Sequence, residues 1–260
     1  MSLSNLSNLS KPVTTRDSRR DWASYEPTRI PTKTEIPELE AFLEDLEEVG
    51  ITATRGRLLD LGCGSGRVSR MLAERGFEVI GVDINEAAIR GGTACDNLEL
   101  HVRDITARGG LDLPGPPFSI VVCQLVVSVV GGVAEREALL SNAFAALEPG
   151  GWLYLSASEV SDDVNPGYRK LYQDDFPETR ERYSYFSRDN DGNILYMTHH
   201  FTGPELQALL DATGFELTRL SSKTESSSRR PDEAAHFLYA VCRKPKTCPP
   251  RWATNRGCGS

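Results

Sequence analysis

Apolar residues recur along this chain in two rhythms, one helical and one of short unbroken runs. Ile36, Leu39, Leu43 and Leu46 fall at helical steps, with Pro37 where a first turn accepts it and Gly50 as a stop. This spacing predicts an amphipathic helix lying against a sheet, its acidic face of Glu40, Glu44, Glu47 and Glu48 turned to water. Short apolar runs follow at Leu58–Leu61, Phe77–Asp83, Leu98–Val102, Phe118–Leu125 and Trp152–Ala157, each read as a strand. The fourth run is nearly continuous in apolar residues, as expected of a central parallel strand covered on both faces. Between the runs, helical spacing returns at Val68, Met71 and Leu72, after Asn85 as an N-cap, and over Glu135–Leu147, where Pro149-Gly150-Gly151 is read as the stop. Glu205–Thr213 is a further predicted helix, ended by Gly214. Phe215–Leu220 and His236–Cys242 are the last predicted strands, and Ser221–Pro231 between them reads as an exposed loop. The alternation implies an α/β fold with a mostly parallel sheet.

The densest chemistry lies at Leu58-Leu59-Asp60-Leu61-Gly62-Cys63-Gly64-Ser65-Gly66-Arg67. A strand passes through three alternating glycines into a helix, a geometry that offers backbone N–H groups and a helix N-terminus to a ligand. The spacing Gly-x-Gly-x-Gly differs from the Gly-x-Gly-x-x-Gly of dinucleotide folds. Asp60, just before the glycines, would repel a pyrophosphate but suits an ammonium group. The next strand ends in Asp83, where a carboxylate can accept both hydroxyls of a ribose.

These residues resemble the class I S-adenosylmethionine-dependent methyltransferases. The matching stretches are Asp60 to Gly66, Gly81-Val82-Asp83-Ile84, Arg103-Asp104-Ile105, and Leu147 to Leu153, in order, within residues 56–243. The resemblance implies a Rossmann-like sheet of seven strands in the order 3-2-1-4-5-7-6, helices on both faces and the last strand antiparallel. It implies S-adenosyl-L-methionine as cofactor. Gly62, Gly64 and Gly66 would line the methionine part, with Asp60, Cys63 and Arg67 in the same turn. Asp83 with Ile84 would meet the ribose, Asp104 with Ile105 the adenine, and Gln124 would also contact the cofactor.

Composition narrows the partners. The 260 residues carry a net charge of −8, which argues against a general attraction to nucleic acid. The run Ile120–Val133 is interrupted and too short to span a bilayer, and the N-terminus has no apolar signal core, so a cytoplasmic protein without a membrane partner is expected. The six cysteines are scattered singly, so neither a metal site nor a disulfide framework is expected. Cys63, Cys95, Cys123 and Cys242 read as packing residues, while Cys248 and Cys258 lie in a polar tail. Residues 1–20 and 244–260 read as disordered tails, and 21–55 as a cap and helix preceding the domain at 56–243. Within the cap, Trp22 and Tyr25 read either as a flap over the site or as a surface tether.

The stretch 158–201 is too long for an ordinary connection. It holds Tyr168, Tyr172, Tyr183, Tyr185 and Tyr196, five of the chain's eight tyrosines, which argues for order. Arg182–Ser187 and Ile194–Phe201 read as two strands around a turn at Asp189–Asn193. The insert reads as a small-molecule pocket using Tyr168, Tyr172, Tyr183 and Tyr185, or as a mini-core packed for its own stability. His199 and His200 are adjacent on a strand and so point to opposite faces, which excludes a shared metal. One of them facing the pocket as a general base is one reading, packing is the other, and Glu159 competes for the same role. The function implied is in-line methyl transfer to an O or N acceptor on a small metabolite or natural product. The alternatives are an RNA (tRNA) or protein methyltransferase and a nicotinamide-dependent oxidoreductase, the last opposed by the glycine spacing and by Asp60.

Overall fold

The protein is described here from a computed structural model. It describes residues 17–247 except 31–35, 49, 52–55, 94, 228–229 and 231. The remainder of the expected N-terminal tail, most of the C-terminal tail, and Cys248 and Cys258 lie outside the described residues.

Seven strands form one sheet: β1 (Arg57–Leu61), β2 (Glu78–Asp83), β3 (Leu98–Val102), β4 (Phe118–Gln124), β5 (Leu147–Ser158), β8 (Glu216–Ser226) and β9 (Ala234–Arg243). Their order is β3-β2-β1-β4-β5-β9-β8, the arrangement that the resemblance implied. β1 to β5 pair in parallel, and β9 runs antiparallel to both β5 and β8. Successive strand residues are buried on opposite faces, which explains the unbroken apolar runs. Leu59, Leu61, Val121, Cys123, Leu153 and Leu155 pack with α5 (Val133–Ala146) and α7 (Gly203–Thr213). Leu58, Ile120, Val122 and Tyr154 pack on the other face with α2 (Pro37–Glu48) and α3 (Arg67–Glu74).

Four sequence expectations need correction. Helix α1 (Ser18–Ala23) begins inside the stretch read as a disordered tail, with Asp17 accepting from the backbone N–H of Arg19 as its N-cap. The Pro-Gly-Gly turn lies within the span of β5: Leu147 pairs with Phe118, the chain bulges through Gly150 at φ 85°, and pairing resumes at Trp152 with Ile120. β8 continues to Ser226 through most of the expected loop, because an outermost strand needs only one covered edge and tolerates Ser, Lys and Glu along it. The insert also contains a helix, α6 (Gly167–Thr179), ahead of the predicted hairpin β6 (Ser184–Arg188) and β7 (Ile194–His199). Its buried positions Tyr168, Tyr172 and Asp175 share one helical face.

Candidate functional site

The glycine turn leaves β1 at the middle of the sheet. Gly62, Gly64 and Gly66 all have left-handed backbones, with φ of 74°, 57° and 78°. The N–H groups of Gly62 and Cys63 both donate to the carbonyl of Val82 at the end of β2, which pins the turn against the neighbouring strand. A side chain at Gly62 would strike Val126 at 2.5 Å, whereas a Cβ at Gly64 would meet only Ile30 at 3.9 Å. The first glycine is therefore needed for packing, and the second keeps a small cavity open. That cavity is lined by Asp60, Cys63, Arg67 and Gln124 among others.

Asp60 is 2% exposed and accepts a 2.6 Å hydrogen bond from Ser69 Oγ. Burial pushes its carboxyl up to about 6, against the opposing effect of that bond. Burial likewise raises the Cys63 thiol, which keeps it protonated and unreactive at neutral pH. Asp83 is fixed by two backbone donors, Asn85 N–H to Oδ1 and Gly64 N–H to Oδ2, each at 2.8 Å. Burial still holds its pKa above the ordinary value. Asn85 also caps α4 (Glu86–Gly91) through Oδ1, and its Nδ2 donates to the carbonyls of Trp22 and Tyr25. The N-terminal cap is thus tied to the strand end that carries Asp83. Asp104 Oδ1 accepts from the backbone and hydroxyl of Thr106, which shapes the loop after β3.

A cavity of about 840 Å³ joins these strand ends to the insert. Gly62, Asp83, Ile84, Asp104, Ile105 and Gln124 line it on the sheet side, and Tyr168, Tyr185, Tyr196 and His200 line it on the insert side. Trp22 and Tyr25 reach it from the cap, and Trp22 lies 4.5 Å from the Tyr196 ring, centroid to centroid. Trp22 Nε1 donates to Val129 O, and Ser18 Oγ accepts from Gly131 N–H. These bonds make the cap a wall of the cavity.

The two histidines part company as strand geometry requires. His200 faces the cavity inside a ring of tyrosines: Tyr172 OH lies 2.7 Å from Nδ1 and Tyr185 OH 3.4 Å from Nε2. Burial lowers its pKa to about 3, so the imidazole is neutral at physiological pH. That is the form a general base needs, with its basicity lowered by burial. His199, 1% exposed, lies behind it: Nδ1 is 2.9 Å from Ser184 Oγ, and Nε2 is 3.1 Å from Glu205 Oε1. Glu181, which accepts from Ser184 Oγ at 2.8 Å, also contacts the fully buried Arg136 of α5, a residue that sequence reading did not single out. Arg136 lies one turn before Leu139 and Leu140 on the buried face of α5, and its partner arrives from the insert. Glu159 is not brought to the cavity. It bonds to Ser222 on β8 and is not among the residues that line the cavity. Tyr172 and Tyr183 stand behind the cavity wall and pack edge to face at 5.4 Å.

Two observations bear on whether these residues fit S-adenosylmethionine. The open space at Gly64 is a cradle that any side chain would fill. Gln124 Oε1 is buried with no partner among the described residues, and Gln124 lines both cavities, so a donor on either the cofactor or the acceptor would satisfy it. The residues fit the cofactor. No cluster able to hold a metal ion occurs among the described residues, and no described helix is long and apolar enough to cross a membrane.

Comparison with known proteins agrees with this geometry. A family profile described as Methyltransferase domain matches residues 34–220. A solved SAM-dependent methyltransferase from Methanosarcina mazei is 29% identical, with a TM-score of 0.67 over 78% of this chain and 98% of that one. The 1,6-didemethyltoxoflavin-N1-methyltransferase of Burkholderia thailandensis, solved with 1,6-didemethyltoxoflavin and S-adenosylhomocysteine, has a TM-score of 0.53 at 21% identity, covering 80% of this chain and 77% of its own. That level of likeness speaks to fold alone. The ubiquinone biosynthesis O-methyltransferase of Caulobacter sp. (strain K31) is 36% identical over 103 residues, 38% of this chain. The chain spans only 40% of that relative's length and 60% of the length of YqeM of Bacillus subtilis (strain 168). The glycine turn, the sheet order and the matched profile together show that the chain belongs to the methyltransferase-domain family, the class I S-adenosylmethionine-dependent methyltransferases.

Proposed function

We propose that this protein methylates an O or N atom of a small molecule held between the cofactor crevice and the aromatic insert. The observation that carries the reading is the continuity of the cavity, which runs from Asp83 and Asp104 to Tyr168, Tyr185 and His200. The names of similar proteins support it: one is a ubiquinone biosynthesis O-methyltransferase, another a toxoflavin-precursor N-methyltransferase. When bound, the cofactor supplies an activated sulfonium methyl. Gly62, Gly64, Gly66 and Asp60 hold the methionine part, Asp83 the ribose, and Asp104 with Ile105 the adenine. The protein's remaining work is alignment and exclusion of water. Tyr168 and Tyr185 wall the acceptor's side, and Trp22 and Tyr25 cover it. His200, neutral and held by two tyrosine hydroxyls, orients the acceptor instead of drawing a proton from it.

The test has two arms. Calorimetry measures S-adenosylhomocysteine binding, which should be tight and should not be matched by NAD. Labelled S-adenosylmethionine is then incubated with small-metabolite, total-RNA and protein fractions of a cell extract. Label in the metabolite fraction alone is expected. Label confined to RNA or protein would overturn the small-molecule reading.

A further inference from the structure

The cavity is walled by two separate aromatic clusters. One joins Trp22, Tyr25 and Tyr196, with centroid separations of 4.5–5.5 Å. The other sets Tyr168 and Tyr185 against the His200 ring at 4.8 and 5.2 Å. All six residues line the same cavity, and they come from the cap, from α6 and from both strands of the hairpin. Rings converging from four elements do more than fill a core, because they leave their faces and edges on the open space. Such surfaces select flat π systems, which stack or meet edge to face with a gain beyond simple burial. The polar demand of the cavity is equally specific. Gln124 Oε1 is a buried acceptor with no donor among the described residues. Leaving it unmet is unfavourable, so a ligand that offers N–H or O–H there gains over one that does not. Gln124 sits where β4 ends, beside Leu125, a non-glycine residue at φ 59° whose N–H is held by Ser156. Such a left-handed residue fixes the strand end in an unusual turn.

We infer that the methyl acceptor is a flat aromatic or heteroaromatic molecule carrying an O–H or N–H, with its ring between the two aromatic clusters and its donor on Gln124 Oε1. This deepens, and rests on, the small-molecule reading above.

The experiment uses three size-matched probes on the full chain saturated with S-adenosylhomocysteine: 2-naphthol, its saturated analogue decahydro-2-naphthol, and 2-methoxynaphthalene. Calorimetry should show 2-naphthol binding about tenfold tighter than the saturated analogue, a ratio that falls in Tyr196→Leu. 2-Methoxynaphthalene, which lacks the donor, should bind roughly fivefold more weakly than 2-naphthol in the native protein and no more weakly in Gln124→Met. Equal affinity for the flat and saturated probes would overturn the aromatic slot. A methoxy penalty that persists in Gln124→Met would overturn the role of Gln124. The same titrations without S-adenosylhomocysteine separate this proposal from the one it rests on. Should the cofactor fail to bind, the methyltransferase reading falls, while the ratio between flat and saturated probes still judges the slot. Circular dichroism on each variant confirms that the protein titrated is folded.

Discussion

At the glycine turn, the groups that shape the cavity are backbone N–H groups and acids at strand ends, held in place by confined backbone. At the insert, they are side chains held by other side chains. Asp83 is fixed by the N–H of Gly64 and of Asn85, both set by the β1–α3 and β2–α4 turns. His200 is fixed by Tyr172 and Tyr185, and its neighbour His199 by Ser184 and Glu205, with Glu181 leading on to Arg136. The first region is rigid because its backbone is confined. The second is rigid only while every side chain in a charged, buried network keeps its partner. Substitutions should therefore separate the two halves: network changes act on stability, and turn changes act on cofactor affinity.

The largest effect should come from Arg136→Ala. Arg136 is 2% exposed and pairs with Glu181, so truncation leaves a carboxylate mostly buried without its cation. A loss of about 3–5 kcal/mol is expected in urea unfolding. The folded fraction should still bind S-adenosylhomocysteine with near-native affinity. A parallel fall in cofactor affinity would mean that the halves are not independent. Asp83→Ala should do the converse. Affinity for S-adenosylhomocysteine should drop by one to two decades, the loss of about 1.5–3 kcal/mol that follows removal of a charged hydrogen-bonding partner. Stability should fall less than in Arg136→Ala, because burial already holds this carboxyl above its ordinary pKa, which offsets part of the loss of its two backbone bonds.

The halves should also answer pH in opposite senses. His200 has its pKa lowered to about 3 from an ordinary 6.5, so between these values the unfolded chain binds a proton that the folded one refuses. Its contribution to stability is lost as pH falls through that window. Asp60 has its pKa raised from 3.8 to about 6, so there the folded protein holds a proton that the unfolded chain has released. Its contribution is lost as pH rises through that window. Each slope is at most about 1.4 kcal/mol per pH unit, and from about pH 4 to 6 they oppose. His200→Gln should leave a protein whose stability rises on acidification across that range, and Asp60→Asn one whose stability falls. Urea midpoints that stay parallel to the native profile in both variants would remove these two groups as its cause.

The same contrast decides what could be read from the chain alone. Asn85 as a cap, Gly214 as a helix stop and the glycine turn are local, and spacing exposes them, whereas the sheet order entered only through the family resemblance. Gln124 entered only through family resemblance, and nothing in its neighbours signals that its amide oxygen is left without a partner. Helix α6 was legible in principle, since Tyr168, Tyr172 and Asp175 repeat at helical steps, but the count of tyrosines drew attention to composition instead of period. The burial of Arg136 was legible from period, since it precedes Leu139, Leu140 and Ala143 at helical steps, but its partner was not. Only the tertiary fold brings Glu181 to it. Glu159 is a related case, because its place just past β5 was visible and its partner Ser222 was not.

The smallest effect concerns the point where the insert returns to the sheet. Thr202 caps α7: its Oγ1 accepts from the N–H of Glu205 at 3.3 Å, and Glu205 reaches back to the N–H of Thr202. Glu205 also holds His199, so this one side chain serves both the helix end and the buried network. Thr202→Ala should destabilise by about 1 kcal/mol, the usual worth of an N-cap. If the cap acts on the helix alone, that loss should add to the loss in Arg136→Ala. If the Thr202–Glu205 bond also sets the carboxylate that steadies His199, the double variant should lose less than the sum, because Arg136→Ala has already loosened the same network. Urea unfolding of the two single variants and the double variant distinguishes these cases. A shortfall of about 0.5 kcal/mol or more would place the return of the insert inside the network, and additivity would place it outside.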